Sequence, residues 1–371
     1  MKHILILTAD AGFGHRSAAN AIAAALAERG GDDISVDIVN PLNDPRTPAF
    51  MRDSQVDYDR IVREAPELYR MGYEASEEAI PNALLEGSAA LLLFNVLRQL
   101  VRDVQPDVIV ITYPLYQAPL NLLFTLNPPA IPVITVVTDL SAVHRLWFNR
   151  AVSALAVPTK AVRRQALMHH IERAKVHVTG IPVNPQISKE MRTKAELRHL
   201  LGWQLETRTV LVVSSKRVMH MGGVLRMLNH SQLPLQLVAV AGGDDVQYAA
   251  LRSTQWHAPA HLYNFVDNLP TMMLAADCLV CKAGGLIVTE ALACGLPLLL
   301  TEVLPGQEQG NADYVIHQGA GVRAESPTDV LETLFHWFAD DAETLRATAQ
   351  RAKALGQPNA ASKVADLALA Y

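Results

Sequence analysis

The sequence predicts an α/β protein built from two Rossmann-like domains, each a parallel sheet covered by helices on both faces, with the two sheets facing a central cleft. Three observations carry that prediction. Short apolar runs alternate with helix-like stretches along the first half of the chain. The same alternation then restarts in the second half. The length, 371 residues, exceeds what one hydrophobic core ordinarily organises.

In order, "HILILT" is a buried strand that ends in the glycine turn "ADAGFGH". "RSAANAIAAALAERG" has helical spacing and stops at Gly30 and Gly31. "ISVDIVN", "PDVIVITYP", "PVITVVTD", "ALAVPT" and "VHVTGIPVNP" read as the further strands of the first domain. The boundary falls after "GIPVNPQI", where two prolines precede the polar opening of a new helix, giving domains 1–185 and 186–371. "RTVLVVSS", "QLVAVAGG", "HLYNFVD", "DCLVCK" and "LPLLLTEV" are five strands of the second domain. The last helix is expected to pack back on the first domain.

One region interrupts the series. Residues 44–105 hold helix-like stretches without a convincing strand. Leu84, Leu85, Leu91, Leu92, Phe94, Val96, Leu97, Leu100 and Val101 form a broad apolar stripe there. Two readings stand: a helix packed on the sheet, or an interfacial membrane helix with Arg98 and Arg102 as headgroup contacts. A cationic stretch, Lys160, Arg163, Arg164, Arg173 and Lys175 with His169 and His170, is either a solvated helix face or a second contact for anionic lipid.

Composition narrows the function. Half the residues are apolar, 19% are charged and the net charge is −5, so nothing global points to a nucleic-acid partner. The three cysteines include the pair Cys278 and Cys281, which point to opposite faces of a strand and make a poor metal or redox site. No segment is expected to reach the ~18–20 apolar residues of a membrane span. "MKHILIL" is too short for a signal-peptide core, so a cytoplasmic location is expected.

"GFGHRS", Gly12 to Ser17, resembles a dinucleotide fingerprint but has serine at the third glycine position. The second strand also ends in "DIVNP", without the acidic residue that would hold a ribose, which argues against a dehydrogenase. What remains is His15, at a helix opening where open α/β sheets bind ligands. Its imidazole is either a neutral general base or a polar helix-start residue with no chemical role.

"KAGGLIVTEALACGLP" supplies a second glycine turn at Gly284 and Gly285, with Glu290 about one turn into the following helix. Bare backbone and a helix N-terminus suit a diphosphate, and a carboxylate suits the vicinal hydroxyls of a ribose. The plainer use of Glu290 is to complement the helix dipole. "PGQEQGN" repeats the device with Gln307, Glu308 and Asn311, and Phe265 follows a strand where an aromatic can stack on a base.

Four ordered segments resemble one family: "LTADAGFGHRSAANAI", "VVTDLSAVHRLWF", "VTGIPVNPQ" and "KAGGLIVTEALACGLPLLLTEVLPGQEQGNADYVIHQGAGV". They are similar to the bacterial processive diacylglycerol glucosyltransferases and plant-type monogalactosyldiacylglycerol synthases, over most of the chain. The related muramyl-pentapeptide N-acetylglucosaminyltransferases match the "TDL…H..WF" stretch poorly. The resemblance implies the GT-B fold, with an acceptor-binding first domain and a donor-binding second domain. It implies inverting transfer of a hexose from UDP-glucose or UDP-galactose to diacylglycerol, with no obligatory cofactor or metal, at the inner face of the cell membrane. Within it His15 is the base, and Asp139, which with His144 belongs to the "TDLSAVH" stretch, is a second catalytic residue that either orients His15 or serves the acceptor. The donor positions are Gly14, Phe265, Val266, Gly284, Gly285, Thr289, Glu290, Pro305, Gly306, Gln307, Glu308 and Asn311. Alternatives are a UDP-GlcNAc-dependent cell-wall enzyme or a UDP-binding protein without transferase activity. One segment departs from the pattern: "VVSSKRVMHMGGVL" brings Gly222 and Gly223 late and puts Lys216 and Arg217 where a glycine loop is expected.

Overall fold

The computed structural model describes residues 1–10, 13–53, 78–128, 130–141, 143–215, 221–304 and 307–371. The chain divides into two compact units. The first comprises Met1–Pro185, Pro305–Gly310 and Asn359–Tyr371, and the second Gln186–Leu304 and Asn311–Pro358.

The first unit is built on a parallel sheet of six strands: β1 (Lys2–Leu7), β2 (Ile34–Val39), β3 (Val108–Ile111), β4 (Val133–Val136), β5 (Ala154–Val157) and β6 (Val176–Val178). Their order is β2-β1-β3-β4-β5-β6. Every residue of "VIVI", "VITV" and "ALAV" is buried, because both faces of the sheet are covered. Alternate residues feed two cores. Leu5, Leu7, Ile109 and Ile111 face one, and Ile4, Ile6, Val108 and Val110 face the other. Each such side chain stabilises the fold by about 1.5–3 kcal/mol through removal from water.

Helix α1 (Phe13–Gly30) covers the second of these cores with Ala19, Ile22, Ala25 and Leu26. The helix Ala360–Leu369 lies against α1 and adds Ala361, Val364, Ala365 and Ala368, whose small side chains permit close approach. Arg29 pairs with Asp366, and Lys2 Nζ donates to the Leu369 carbonyl at 2.8 Å, fastening the chain's end to this unit.

Helix α2 (Ala79–Val104) settles the apolar stripe by dividing it. Leu93, Val96 and Leu97 are buried and Phe94, Leu100 and Val101 pack on the core, whereas Leu84 and Leu91 are 69% and 74% exposed. The expectation that no segment has the make-up of a span is corrected here. Ala83–Val104 is 22 residues long with mean hydropathy 1.4, enough by length and composition alone. The tally of unbroken apolar residues missed it because Glu86, Ser88 and Arg98 interrupt the run without lowering its average much. Residues 54–77, the rest of the expected insertion, lie outside the described residues. Helices α3 (Gln117–Leu126) and α4 (Lys160–Met168) complete the unit's larger helices.

The second unit repeats the plan with β7 (Arg208–Val213), β8 (Leu235–Val240), β9 (Ala260–Tyr263), β10 (Cys278–Lys282), β11 (Leu298–Glu302) and β12 (Gly321–Arg323), in the order β12-β11-β10-β7-β8-β9. The sequence reading finds five of these. β12, "GVR", is three residues with one apolar side chain and has no periodicity to detect. Gly321 has no room for a side chain, since a Cβ would stand 2.3 Å from the Leu298 carbonyl oxygen. Cys278 and Cys281 are both fully buried and neither is in a disulfide, on opposite faces of a sheet covered on both sides.

A buried ionic knot ties helix α5 (Lys194–Leu201) to the sheet, which α6 (Met221–Asn229), α7 (Asp245–Ser253) and α8 (Leu269–Ala275) also flank. Asp277 accepts from Arg198 Nη2 at 2.7 Å, Lys194 Nζ at 2.8 Å and the Thr209 amide at 2.8 Å. Burial alone would raise this carboxyl's pKa, but the two cations and the amide hold it below the ordinary value.

Candidate functional site

In the first unit the site forms where β1, β3 and β4 end and α1 begins. Gly14 and His15 lie in the first turn of α1. Thr112 follows β3 and Thr138 follows β4, and both turn an oxygen toward the imidazole. His15 Nδ1 stands 2.8 Å from the Thr112 carbonyl and 2.9 Å from Thr138 Oγ1. A carbonyl only accepts, so Nδ1 carries the proton and Nε2 carries the lone pair. The edge of Tyr113 at 5.0 Å and Trp147 at 6.1 Å wall the ring. Desolvation pushes its pKa below the usual histidine value, against the opposing pull of the Asp139 charge and the Thr112 carbonyl. The result is a neutral imidazole with one basic nitrogen.

Asp139 is buried, and its Oδ2 accepts from Trp147 Nε1 at 2.9 Å. It acts on His15 through charge, while the hydrogen-bond partners of His15 Nδ1 are the Thr112 carbonyl, which accepts its proton, and Thr138 Oγ1. His144 is the complement of His15. Its Nδ1 accepts the Leu146 amide at 3.1 Å, so its proton sits on Nε2. Burial and the neighbouring Arg145 push its pKa down to about 4, which keeps it a neutral donor.

A network beside His15 was not legible in the sequence. Asp10 accepts from Arg16 Nε at 2.9 Å, from Arg16 Nη2 at 3.2 Å and from Asn40 Nδ2 at 2.8 Å. Asn40 Oδ1 in turn lies 3.2 Å from the Tyr116 hydroxyl and accepts the Leu42 amide at 3.1 Å. The "N" of "DIVNP", which the fingerprint argument treated as a missing acid, is thus the post that steadies the loop after β1. The only available signal was the polar character of Asp10 and Asn40 at two adjacent strand ends.

In the second unit β10 leads through Ala283 into helix α9 (Gly285–Ala293). Gly284 is the residue before the helix, with φ −66° and ψ 139° and no side-chain cap. Those angles suit any residue, so the turn is not left-handed. Bareness, which leaves the first amides of α9 uncovered, is what glycine adds here. Thr289 is buried with its hydroxyl donating to the Gly285 carbonyl at 2.7 Å, so that proton is committed within the helix. Asn311 is buried too, and its Nδ2 donates to the Ala283 carbonyl at 3.1 Å, bracing the turn from behind.

Glu290 is 7% exposed, and no described residue donates a hydrogen bond to its carboxylate. Desolvation raises its pKa to about 7. A buried acid with no partner costs stability and marks a place where a ligand can supply the missing donors. Phe265 lies beyond β9 and is 61% exposed, available for stacking, with Val266 half-buried beside it. Glu308 is buried in the first turn of helix α10 (Gln307–His317). Pro305, Gly306, Lys216 and Arg217 lie outside the described residues, and the side chain of Gln307 does too. Among the described residues no three His, Cys, Asp or Glu side chains cluster as metal ligands.

Residues 15–183 match the family model for monogalactosyldiacylglycerol (MGDG) synthase, and residues 204–355 match that for glycosyl transferases group 1. Monogalactosyldiacylglycerol synthase of Spinacia oleracea is 32% identical over 373 residues, covering 98% of this chain and 71% of the relative. The chain belongs to the monogalactosyldiacylglycerol synthase family. Monogalactosyldiacylglycerol synthase 3 of Arabidopsis thaliana is also 32% identical, covering 97% of this chain and 79% of its own. Solved structures show the fold of this family member to be GT-B. MurG of Acinetobacter baumannii superposes with TM-score 0.63 at 17% identity over the whole of both chains. The UDP complex of S. aureus MnaA gives TM-score 0.63 at 14% identity, covering 98% of this chain and 95% of that one. As a member of the family the protein is a glycosyltransferase, a hexosyltransferase of glycolipid synthesis.

Proposed function

We propose that the protein moves a hexose from a UDP-sugar to the free hydroxyl of diacylglycerol with inversion at the anomeric carbon. The observation that carries this reading is the fixed tautomer of His15. Its Nδ1 proton is spent on Thr112, so Nε2 is a base at neutral pH in a partly desolvated pocket. Nε2 takes the proton of the acceptor hydroxyl, and the oxygen attacks the anomeric carbon as the bond to UDP breaks. The new imidazolium is stabilised by the charge of Asp139. Negative charge gathers on the departing diphosphate, which the uncapped amides of α9 are suited to receive without an obligatory metal. The Glu290 carboxylate would accept from the ribose hydroxyls, and Phe265 would stack on the uracil.

The names of the relatives favour galactose over glucose as the sugar. The exposed Leu84, Leu91 and Leu92 of α2, with Arg98 on the same helix, support peripheral association with the inner face of the cell membrane. Product analysis tests the reading: purified protein, liposomes containing diacylglycerol, and UDP-galactose and UDP-glucose in parallel. A monohexosyl lipid is expected. UDP binding without any lipid product would sink the lipid-acceptor claim.

A further inference from the structure

The second unit carries a cavity of about 890 Å³ that the transfer reaction does not use. It opens at the amino ends of β7, β8 and β9, lined by the first residues of two of these strands, Arg208 and Leu235. Open α/β sheets bind their main ligand outside the carboxyl ends of the strands, which is where the Gly284 turn and Glu290 lie. The cavity is therefore at the other end of the same sheet. Its size is that of a small-molecule site.

Its lining is organised. His230 and His257 bring their rings to 4.9 Å at an angle of 49°. The segment carrying His257 is held by Asn229, at the end of helix α6 (Met221–Asn229), and the His230 amide donates to the Arg226 and Met227 carbonyls of the same helix. Asn229 is buried, its Oδ1 accepting the His257 amide at 2.7 Å and its Nδ2 donating to the Gln255 carbonyl at 2.8 Å. Gln232, also on the wall, has φ +57°, a left-handed conformation that costs a non-glycine residue free energy and so has to be enforced by its surroundings. Arg208 is half-buried in the lining, and no ion pair or hydrogen bond joins its side chain to another described residue. Glu206, the one acid in the lining, is exposed. The apolar part of the lining is Leu233, Pro234 and Pro259, while Leu228 and Leu235 belong to the buried core of the unit.

We propose that this cavity is a second binding site, for a small amphipathic anion whose head is a carboxylate or phosphate. The head pairs with Arg208, with the two imidazoles as further donors, and the apolar body lies against the leucine and proline wall. A guanidinium binds either oxyanion through parallel hydrogen bonds, and an unpaired one in a part-desolvated wall has most to gain from doing so. The site is separate from the donor residues, so its occupation does not depend on the transfer reaction.

The test uses the full chain with its histidines labelled at Cε1, titrated with octyl phosphate and, separately, octanoate, inorganic phosphate and octanol. The proposal expects saturable shifts of the His230 and His257 signals with octyl phosphate or octanoate. It expects at least tenfold weaker binding of the same probe by Arg208→Gln, and no saturation with octanol. UDP binding by Arg208→Gln should be unchanged, which reports that the unit is folded. Absence of saturation with both anionic amphiphiles, equal binding by the variant, or equal response to octanol overturns the proposal. Equally tight binding of inorganic phosphate overturns the claim that the apolar wall takes part.

Discussion

Replacing Glu290 by glutamine separates the two things a buried carboxylate does. In the free protein its pKa is raised from 4.5 to about 7, and each tenfold change in proton affinity is about 1.4 kcal/mol, so ionising it in place costs about 3 kcal/mol. The folded state holds this proton more tightly than the unfolded chain. The contribution of protonated Glu290 is therefore fully present below pH 4.5 and declines as the pH rises toward 7. Urea unfolding at pH 5 and pH 8 should show wild type losing about 2.5 kcal/mol more than Glu290→Gln between the two. Donor binding runs the other way, because ribose hydroxyls donate to the ionised form. With a pKa near 7 the ionised share rises from about one eleventh at pH 6 to about ten elevenths at pH 8, so UDP-galactose affinity should rise about tenfold. The diphosphate diester of the donor has no group titrating in that range. Calorimetric titration of wild type and Glu290→Gln at both pH values reads the difference. A wild-type affinity that is flat with pH, or one that rises equally in the glutamine variant, would refute the assignment of Glu290 to the ribose.

His15→Ala should lower kcat by about 10²–10⁴-fold with little change in UDP affinity, as measured by initial rates and by calorimetry. In Asp139→Asn the charge that raises the His15 pKa is gone, so the acid limb of the kcat/KM profile should move to lower pH, while an unmoved limb would show that Asp139 does not act on the base. Asp277→Ala should cost about 3–5 kcal/mol in chemical denaturation, because it strands buried Arg198 without its partner. The wild-type Asp277 contribution is present above the ordinary carboxylate pKa and fades as pH falls through its lowered folded value. Leu91→Glu should weaken flotation with anionic vesicles without changing the melting temperature, since Leu91 is 74% exposed.

The strands were readable because parallel sheets covered on both faces are written as unbroken apolar runs such as "VIVI" and "LLL". β12 escaped because three residues with one valine carry no pattern. Candidate site residues were readable only where they sit within a few residues of a glycine turn, as with His15 and Glu290. The proton on His15 is set by Thr112 and Thr138, which are 97 and 123 residues away in the chain, and only the sheet order brings them to the ring. The same is true of Asn40, 30 residues from Asp10. Thr289 and Asn311 show the converse limit. Their types suit ligand contact, but the fold turns the Thr289 hydroxyl and the Asn311 amide inward to the backbone of the turn itself.

The central claim is that Nε2 of His15 activates a lipid hydroxyl for direct, inverting attack on a UDP-hexose. The most direct measurement is the proton NMR of the glycolipid made from UDP-galactose and diacylglycerol liposomes, by wild type and by His15→Ala. The account predicts a β-linked hexose from the α-configured donor, with the product lost in the variant. An α-linked product, or undiminished synthesis by His15→Ala, would contradict it.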